Sequence, residues 1–329
     1  MIATQATTTE RPRAHIRQRG DVECFRAPRR QPVLDAVIVG GGPAGLSAAL
    51  VLGRARKGVL VIDTGRPANA ASAHAIGGLL SQTGVSPAEL RRRGRKQLEE
   101  FPTVEVRDGE VLDAELAGES LAIRLDGGPV RARGLVLANG LRYDPPPLPG
   151  VKGLWGHSVF HCPFCDGWEV RDRPLAIHGN GPAAARSARV LSGWSTDVVL
   201  CTDGPAQLAG EGEMLAGQGV RIREEPIREL VGTDGRLDRI EFMAGPAERR
   251  EALFVRTQRE QPNGLAAGLG CRLSDEGTIE TDVDGRTGVS GVYAAGDAAT
   301  EHSRSVANAV GSGSRLAYAL TLDQVTASA

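Results

Sequence analysis

The stretch that most limits what this 329-residue chain can become is Gly40-Gly41-Gly42-Pro43-Ala44-Gly45. It follows Ala36-Val37-Ile38-Val39, a short apolar run that reads as a strand, and leads into residues 46–52, which read as a helix. Residues 58–63 form the next strand, completing a βαβ unit. In the spacing Gly-x-Gly-x-x-Gly, Gly40 makes the tight turn and Gly42 lets backbone approach a pyrophosphate. Gly45 lets the helix pack closely on the strand. Pro43 and Ala44 lie within this loop and are counted among the cofactor contacts, and the N-terminus of the helix that follows presents free N–H groups to the phosphates. Asp63 ends the second strand 18 residues after Gly45, where an acid that binds a ribose belongs. Strand, loop, helix and placed acid together predict a dinucleotide site.

Length sets a prior of two domains, and 41% hydrophobic residues can fill a sizeable core. A formal net charge of −1 gives no reason to expect nucleic acid as a partner. Residues 36–53 carry no charge, yet five glycines and Pro43 interrupt them, so a membrane span is not expected. Residues 1–32 are Arg-rich and aperiodic, without an apolar leader. They read as a mobile tail on a cytoplasmic protein, with Cys24 unexplained.

A second βαβ signal runs from a strand at 175–178 through Gly179-x-Gly181-x-x-Ala184 to a strand at 197–201. Between the two units, Ser86-Pro87-Ala88-Glu89 combines an N-cap serine, a first-turn proline and a capping-box glutamate. The helix it opens carries Arg91, Arg92, Arg93, Arg95 and Lys96, read as a solvated face or a dock for an acidic partner. Turns are expected at Asp126-Gly127-Gly128 and Asp234-Gly235, a stiff connector at 145–149, and a last helix at 305–320.

Of five cysteines only Cys162 and Cys165 are close in sequence, within His161-Cys162-Pro163-Phe164-Cys165-Asp166. Their spacing serves a zinc site, a structural disulfide or a redox dithiol. A closed zinc site needs four ligands, and Cys201 and Cys271 have no partner nearby in sequence, so no metal is expected. A redox pair needs a thiolate, a resolving thiol and a proton donor, and a helix N-terminus favours the thiolate. Asp166 is either that donor or only a cap. His161 is either a proton acceptor beside the thiol or a packing residue, and His302 poses the same choice.

Val292-Tyr293-Ala294-Ala295-Gly296-Asp297 resembles the second FAD signature of two-domain disulfide reductases, and Leu135 to Gly140, "LVLANG", resembles the strand that leaves their FAD domain. With the two glycine loops and "CPFC" in the same order, residues 33–320 resemble the low-molecular-weight thioredoxin reductases. The resemblance implies an α/β fold with two Rossmann-like, three-layer nucleotide-binding domains. The FAD-binding domain would be discontinuous, 33–149 and 255–329, and 150–254 would form an NAD(P)-like domain carrying the dithiol. It further implies a homodimer, a ribityl contact from Asp297 beside Gly296, and Ser305 and Val306 near the flavin ring. Asn69, His74, Val111, Ala138, Asn139 and Gly140 complete the implied FAD contacts. Cys165 would face the flavin, Cys162 would exchange with substrate, and Asp166 would shuttle the proton.

The chain departs from this family in two places. After the strand at 198–201 stands Thr202-Asp203-Gly204-Pro205, without the arginines that neutralise the 2′-phosphate of NADPH. Asp203 is either an NAD ribose acid or an ordinary Asp-Gly turn. Arg304-Ser305 stands where an arginine–glutamine pair is usual. "Asn69…His74", Ser86 to Leu90 and "CPFCDGWE" look like the dithiol oxidase branch, which includes the holomycin and gliotoxin dithiol oxidases of natural product biosynthesis. That implies oxidation of a small-molecule dithiol with O2 as acceptor and hydrogen peroxide as product, with NAD(P)H a doubtful cofactor. The alternatives are an NAD(P)H-dependent reductase of thioredoxin or another disulfide, and a ferredoxin-linked thioredoxin reductase.

Overall fold

A computed structural model describes residues 33–66, 75–299 and 304–327. The expected tail with Cys24, and Asn69, His74 and His302, lie outside the described residues.

The chain begins with β1 (Leu34–Val39), α1 (Pro43–Arg54), β2 (Val59–Asp63), α2 (Pro87–Leu98) and β3 (Val104–Asp108). A meander follows: β4 (Val111–Ala117), β5 (Ser120–Leu125) and β6 (Gly128–Leu137). The short β7 (Arg142–Asp144) leads to α3 (Val151–Leu154), β8 (Val159–Phe160) and α4 (Pro163–Asp166). Next come β9 (Leu175–His178), α5 (Gly181–Leu191), β10 (Val198–Cys201), α6 (Gly212–Gly217) and β11 (Arg221–Arg223). Then β12 (Ile227–Thr233), β13 (Arg236–Phe242) and β14 (Glu248–Arg249) form a small antiparallel sheet. The chain ends through β15 (Ala252–Val255), β16 (Gln258–Glu260), α7 (Leu265–Gly268), β17 (Val292–Ala294) and α8 (Val306–Ala327).

Two larger sheets organise these pieces. The first runs β3-β2-β1-β6-β5-β4, with β17 parallel to β6 on its free side. The second runs β11-β10-β9-β15-β8 and is wholly parallel. The buried stretches of their central strands, such as 36–39, 59–62, 135–137 and 175–177, are apolar because both faces are covered. Alternate residues of β1 and β2 divide between two cores: Val37, Val39, Leu60 and Ile62 on one face, Ala36, Ile38, Val59 and Val61 on the other. The second sheet does the same, with Leu175, Ile177 and Leu200 opposite Ala176, Val199 and Cys201. This is an α/β, three-layer arrangement made twice.

β7 and β16 pair antiparallel, Tyr143 opposite Arg259, so the chain passes between the sheets through a two-stranded ribbon. The last helix runs seven residues beyond the expected 320, to Ala327. It packs along α1, where a methyl group on Gly313 would overlap the Ala44 carbonyl oxygen. Among the described residues no helix is long and apolar enough to cross a membrane.

Candidate active site

The C-terminal ends of β1, β6 and β17 converge, the edge where open parallel sheets bind ligands. Gly40 turns at φ 105°, and a side chain there would overlap the Ala138 carbonyl oxygen. One on Gly45 would overlap the Gly40 carbonyl oxygen, so both glycines are sterically required. Gly42 faces open space and, lacking a side chain, leaves the first N–H groups of α1 uncapped, with Pro43 at the first helical turn. These features fit a pyrophosphate. Ala138 N–H binds the Val39 carbonyl at 2.9 Å, and Gly140 has φ 68°, closing the second wall. Asn139 meets Gln261 at 3.5 Å. Gly296, at φ 67°, packs against Ala44 and donates its N–H to Ser312 Oγ at 3.0 Å. The Val111 side chain is buried in the sheet core, so only its backbone could touch a ligand.

Asp63 is buried at the end of β2, and its Oδ2 accepts from Arg91 at 2.6 Å and Arg95 at 2.9 Å. Burial pushes this carboxyl up, but the Arg91 and Arg95 guanidiniums and the Gly65 N–H bring it below the usual range. The expected solvated face of α2 is therefore corrected for Arg91 and Arg95, while Arg92, Arg93 and Lys96 are exposed as expected. Ser86 Oγ does accept from Glu89 N–H, but the Glu89 carboxylate binds Arg92 and Arg93, while Arg91 and Arg95 turn inward. A buried carboxylate attracts them more strongly than water does.

The dithiol stands at the C-terminal end of β8. Cys162 precedes α4, a single turn rather than a longer helix, and Cys165 Sγ donates to Cys162 Sγ at 2.7 Å. That hydrogen bond holds Cys162 below the ordinary thiol range despite burial. Giving it pushes Cys165 well up, as do burial and the charges of Cys162, Asp166 and Asp297. Asp166 is buried beneath the pair. Phe164 and Trp168 are exposed beside it, Phe164 edge-on to Trp194 and Trp168 under the Arg171 guanidinium at 3.9 Å.

Tyr143 joins the two sheets at this point, which no motif announced. Its hydroxyl donates to Asp297 Oδ2 at 2.9 Å, and its ring lies 4.7 Å from that of His161. Burial raises the Asp297 carboxyl, against the pull of Tyr143, Arg304 and Arg259. His161 is pushed down to about 4 by burial and then by Arg259 and Arg304. Packed between Tyr143 and Trp155, it is a neutral aromatic plate near pH 7 and a poor proton acceptor. Arg304 shares Glu276 with Arg259, and its Nε is buried without a partner among the described residues. Ser305 Oγ accepts from Asn308 N–H at 3.2 Å, so it caps α8, which begins at Val306.

The second glycine loop is arranged differently. Asn180 Oδ1 accepts from Gly181 N–H and from Gln207 N–H, both at 2.8 Å, and its Nδ2 donates to the Pro205 carbonyl at 2.9 Å. Asp203, at φ 53°, accepts from Ile227 N–H at 2.7 Å and faces His178 at 3.5 Å. The N-terminus of α5 and the acid after β10 are thus engaged by the chain itself.

The profile of the pyridine nucleotide-disulphide oxidoreductases matches residues 34–313. The chain belongs to this family. Its members typically bind FAD, and the Cys162–Cys165 pair makes this one a disulfide oxidoreductase of thioredoxin reductase-like build. Thioredoxin reductase tcpT of Claviceps purpurea is 33% identical over 280 residues, covering 80% of this chain and 86% of that protein. Among solved structures, HlmI is 38% identical with TM-score 0.83, covering 90% of this chain and 95% of its own. An oxidoreductase from Agrobacterium tumefaciens is 33% identical with TM-score 0.83, covering 90% and 99%.

Proposed function

We propose that this family member oxidises a small-molecule dithiol to a disulfide, with FAD at the first glycine loop and O2 as final acceptor. One contrast carries the reading. The N-terminus of α1 is left uncapped by Gly42, whereas that of α5 is capped by Asn180, which also ties down Gln207. A helix that spends its first N–H on its own side chain has less to offer a second pyrophosphate. No arginine stands at 202–205 to take a 2′-phosphate, and Asp203 already serves Ile227. Electrons then enter from a dithiol.

In this reading Gly40, Gly42, Gly45, Asp63 and Asp297 hold the FAD, which when bound takes two electrons from the reduced cysteine pair and delivers them to O2. Cys162, the sulfur with the depressed pKa, exchanges with substrate. Cys165, raised beside Asp166 and Asp297, keeps a proton, and Asp166 holds the charge balance under the pair.

Anaerobic titration of the bound flavin with a dithiol, NADH and NADPH tests this. Bleaching by the dithiol alone, and peroxide on admitting air, is the expected result. Rapid bleaching by either nicotinamide with none by dithiols would replace it with a disulfide reductase, the activity named for tcpT.

A further inference from the structure

Glu169 stands four residues beyond Cys165, and its Oε2 is buried with no hydrogen-bond partner among the described residues. A methyl group on Gly77, across from it, would lie 3.8 Å from Glu169 Oε1 and 4.0 Å from the Cys165 carbonyl oxygen. The Glu169 carboxylate and the Cys165 backbone carbonyl therefore both face Gly77, one helical turn apart on the segment that carries the dithiol. A buried carboxylate oxygen left without a donor calls for a functional explanation.

The surrounding charges leave this oxygen the task. Segment 75–85, which supplies Gly77, contains no titratable residue. On its own segment Glu169 has Cys162, Cys165 and the buried Asp166. Arg171 is turned onto Trp168, stacking on its ring and donating to its carbonyl oxygen at 2.6 Å. Asp297 acts on Cys165, and Arg259 and Arg304 act on His161. His161, the obvious base in the sequence, is half-buried against the rings of Tyr143 and Trp155.

We propose that Glu169 is the base that takes the proton of the substrate thiol as it attacks the oxidised Cys162–Cys165 pair. The proposal rests on the dithiol-oxidation reading. The first substrate thiol gives its proton to Glu169, and its thiolate bonds to Cys162 Sγ. The Cys162–Cys165 bond breaks, and its electron pair leaves on Cys165, which takes the proton back from Glu169. The second substrate thiol then gives its proton to Glu169, and its thiolate attacks the substrate sulfur of the mixed disulfide. Cys162 leaves as thiolate, held by the Cys165 thiol, and Glu169 releases the second proton to water. The substrate loses two electrons and the cysteine pair gains them.

The test is anaerobic single-turnover bleaching of the holoprotein by dithiothreitol, wild type against Glu169→Gln, across pH. At about pH 6.5 the variant should be slower by roughly 100-fold, the range of a lost general base. At about pH 9.5, where a thiol ionises unaided, the gap should close to about threefold or less. Equal rates at both pH values, or an equal deficit at both, would overturn the proposal. If Glu169→Gln retains no flavin, Glu169→Asp is read instead. It should keep the wild-type pH curve at a lower rate, and a pH-independent deficit counts against Glu169. A wild type that dithiothreitol never bleaches removes the dithiol-oxidation reading itself, a distinct outcome.

Discussion

Cys162 and Cys165 differ by environment, not by type. Alkylation of the reduced protein by iodoacetamide at about pH 7 should label Cys162 first, because its thiolate persists below the ordinary thiol range. Mass spectrometry showing Cys165 labelled first would contradict this. His161 gives a second prediction. Its folded value of about 4 lies below that of a free histidine, so folding favours the neutral ring. The contribution, up to about 3 kcal/mol, is complete above about pH 6.5 and is lost as pH falls toward 4. Urea unfolding at pH 7 and 4.5 should show a steeper acid loss for wild type than for His161→Phe. Equal slopes would refute it. The glycine loop and the cysteine pair were legible because their chemistry is local. Tyr143, Arg91 and Glu169 were not, since each owes its role to partners far away in the chain or packed from another segment.

The helices show what spacing can and cannot reveal. Both βαβ loops have the same Gly-x-Gly opening, and Gly42 and Gly181 both face open space; the structure separates the loops at the x position, where Asn180 ties its own helix to Gln207 and the first loop has Gly41. The sequence pattern is blind here, because an asparagine at the x position can point outward or cap. Asn180→Ala should cost about 1 kcal/mol of stability, read by denaturant unfolding, through the lost cap. The crossing of α1 and α8 supports a paired test within one helix. Gly313 abuts the Ala44 backbone, whereas Gly311 faces open space. Gly313→Ala should destabilise by about 2 kcal/mol or more through overpacking. Gly311→Ala should be neutral or stabilise by up to about 1 kcal/mol through helix propensity. A thermal melt that reverses that order would mean the helices cross elsewhere.

At the scale of the molecule, a two-stranded ribbon leads from one sheet to the other, and the Tyr143 hydroxyl ties that ribbon to Asp297 beside the first sheet. Tyr143→Phe removes the bond to Asp297 and should cost about 1–2 kcal/mol, with a shifted visible spectrum of any bound flavin. An unchanged melt and spectrum would show the bridge to be idle. That the chain holds two βαβ units was readable from its punctuation. That their edges meet through β7 and β16 was not, because three-residue strands carry no period. The ribbon has a consequence for how such a chain can change. Its outgoing and returning backbones are neighbours, Arg142 opposite Glu260 and Asp144 opposite Gln258. To the first sheet, residues 145–257 are one very wide hairpin standing on two adjacent feet. What hangs from those feet can be lengthened, trimmed or exchanged at small entropic cost, while the sheet beneath it stays as it was.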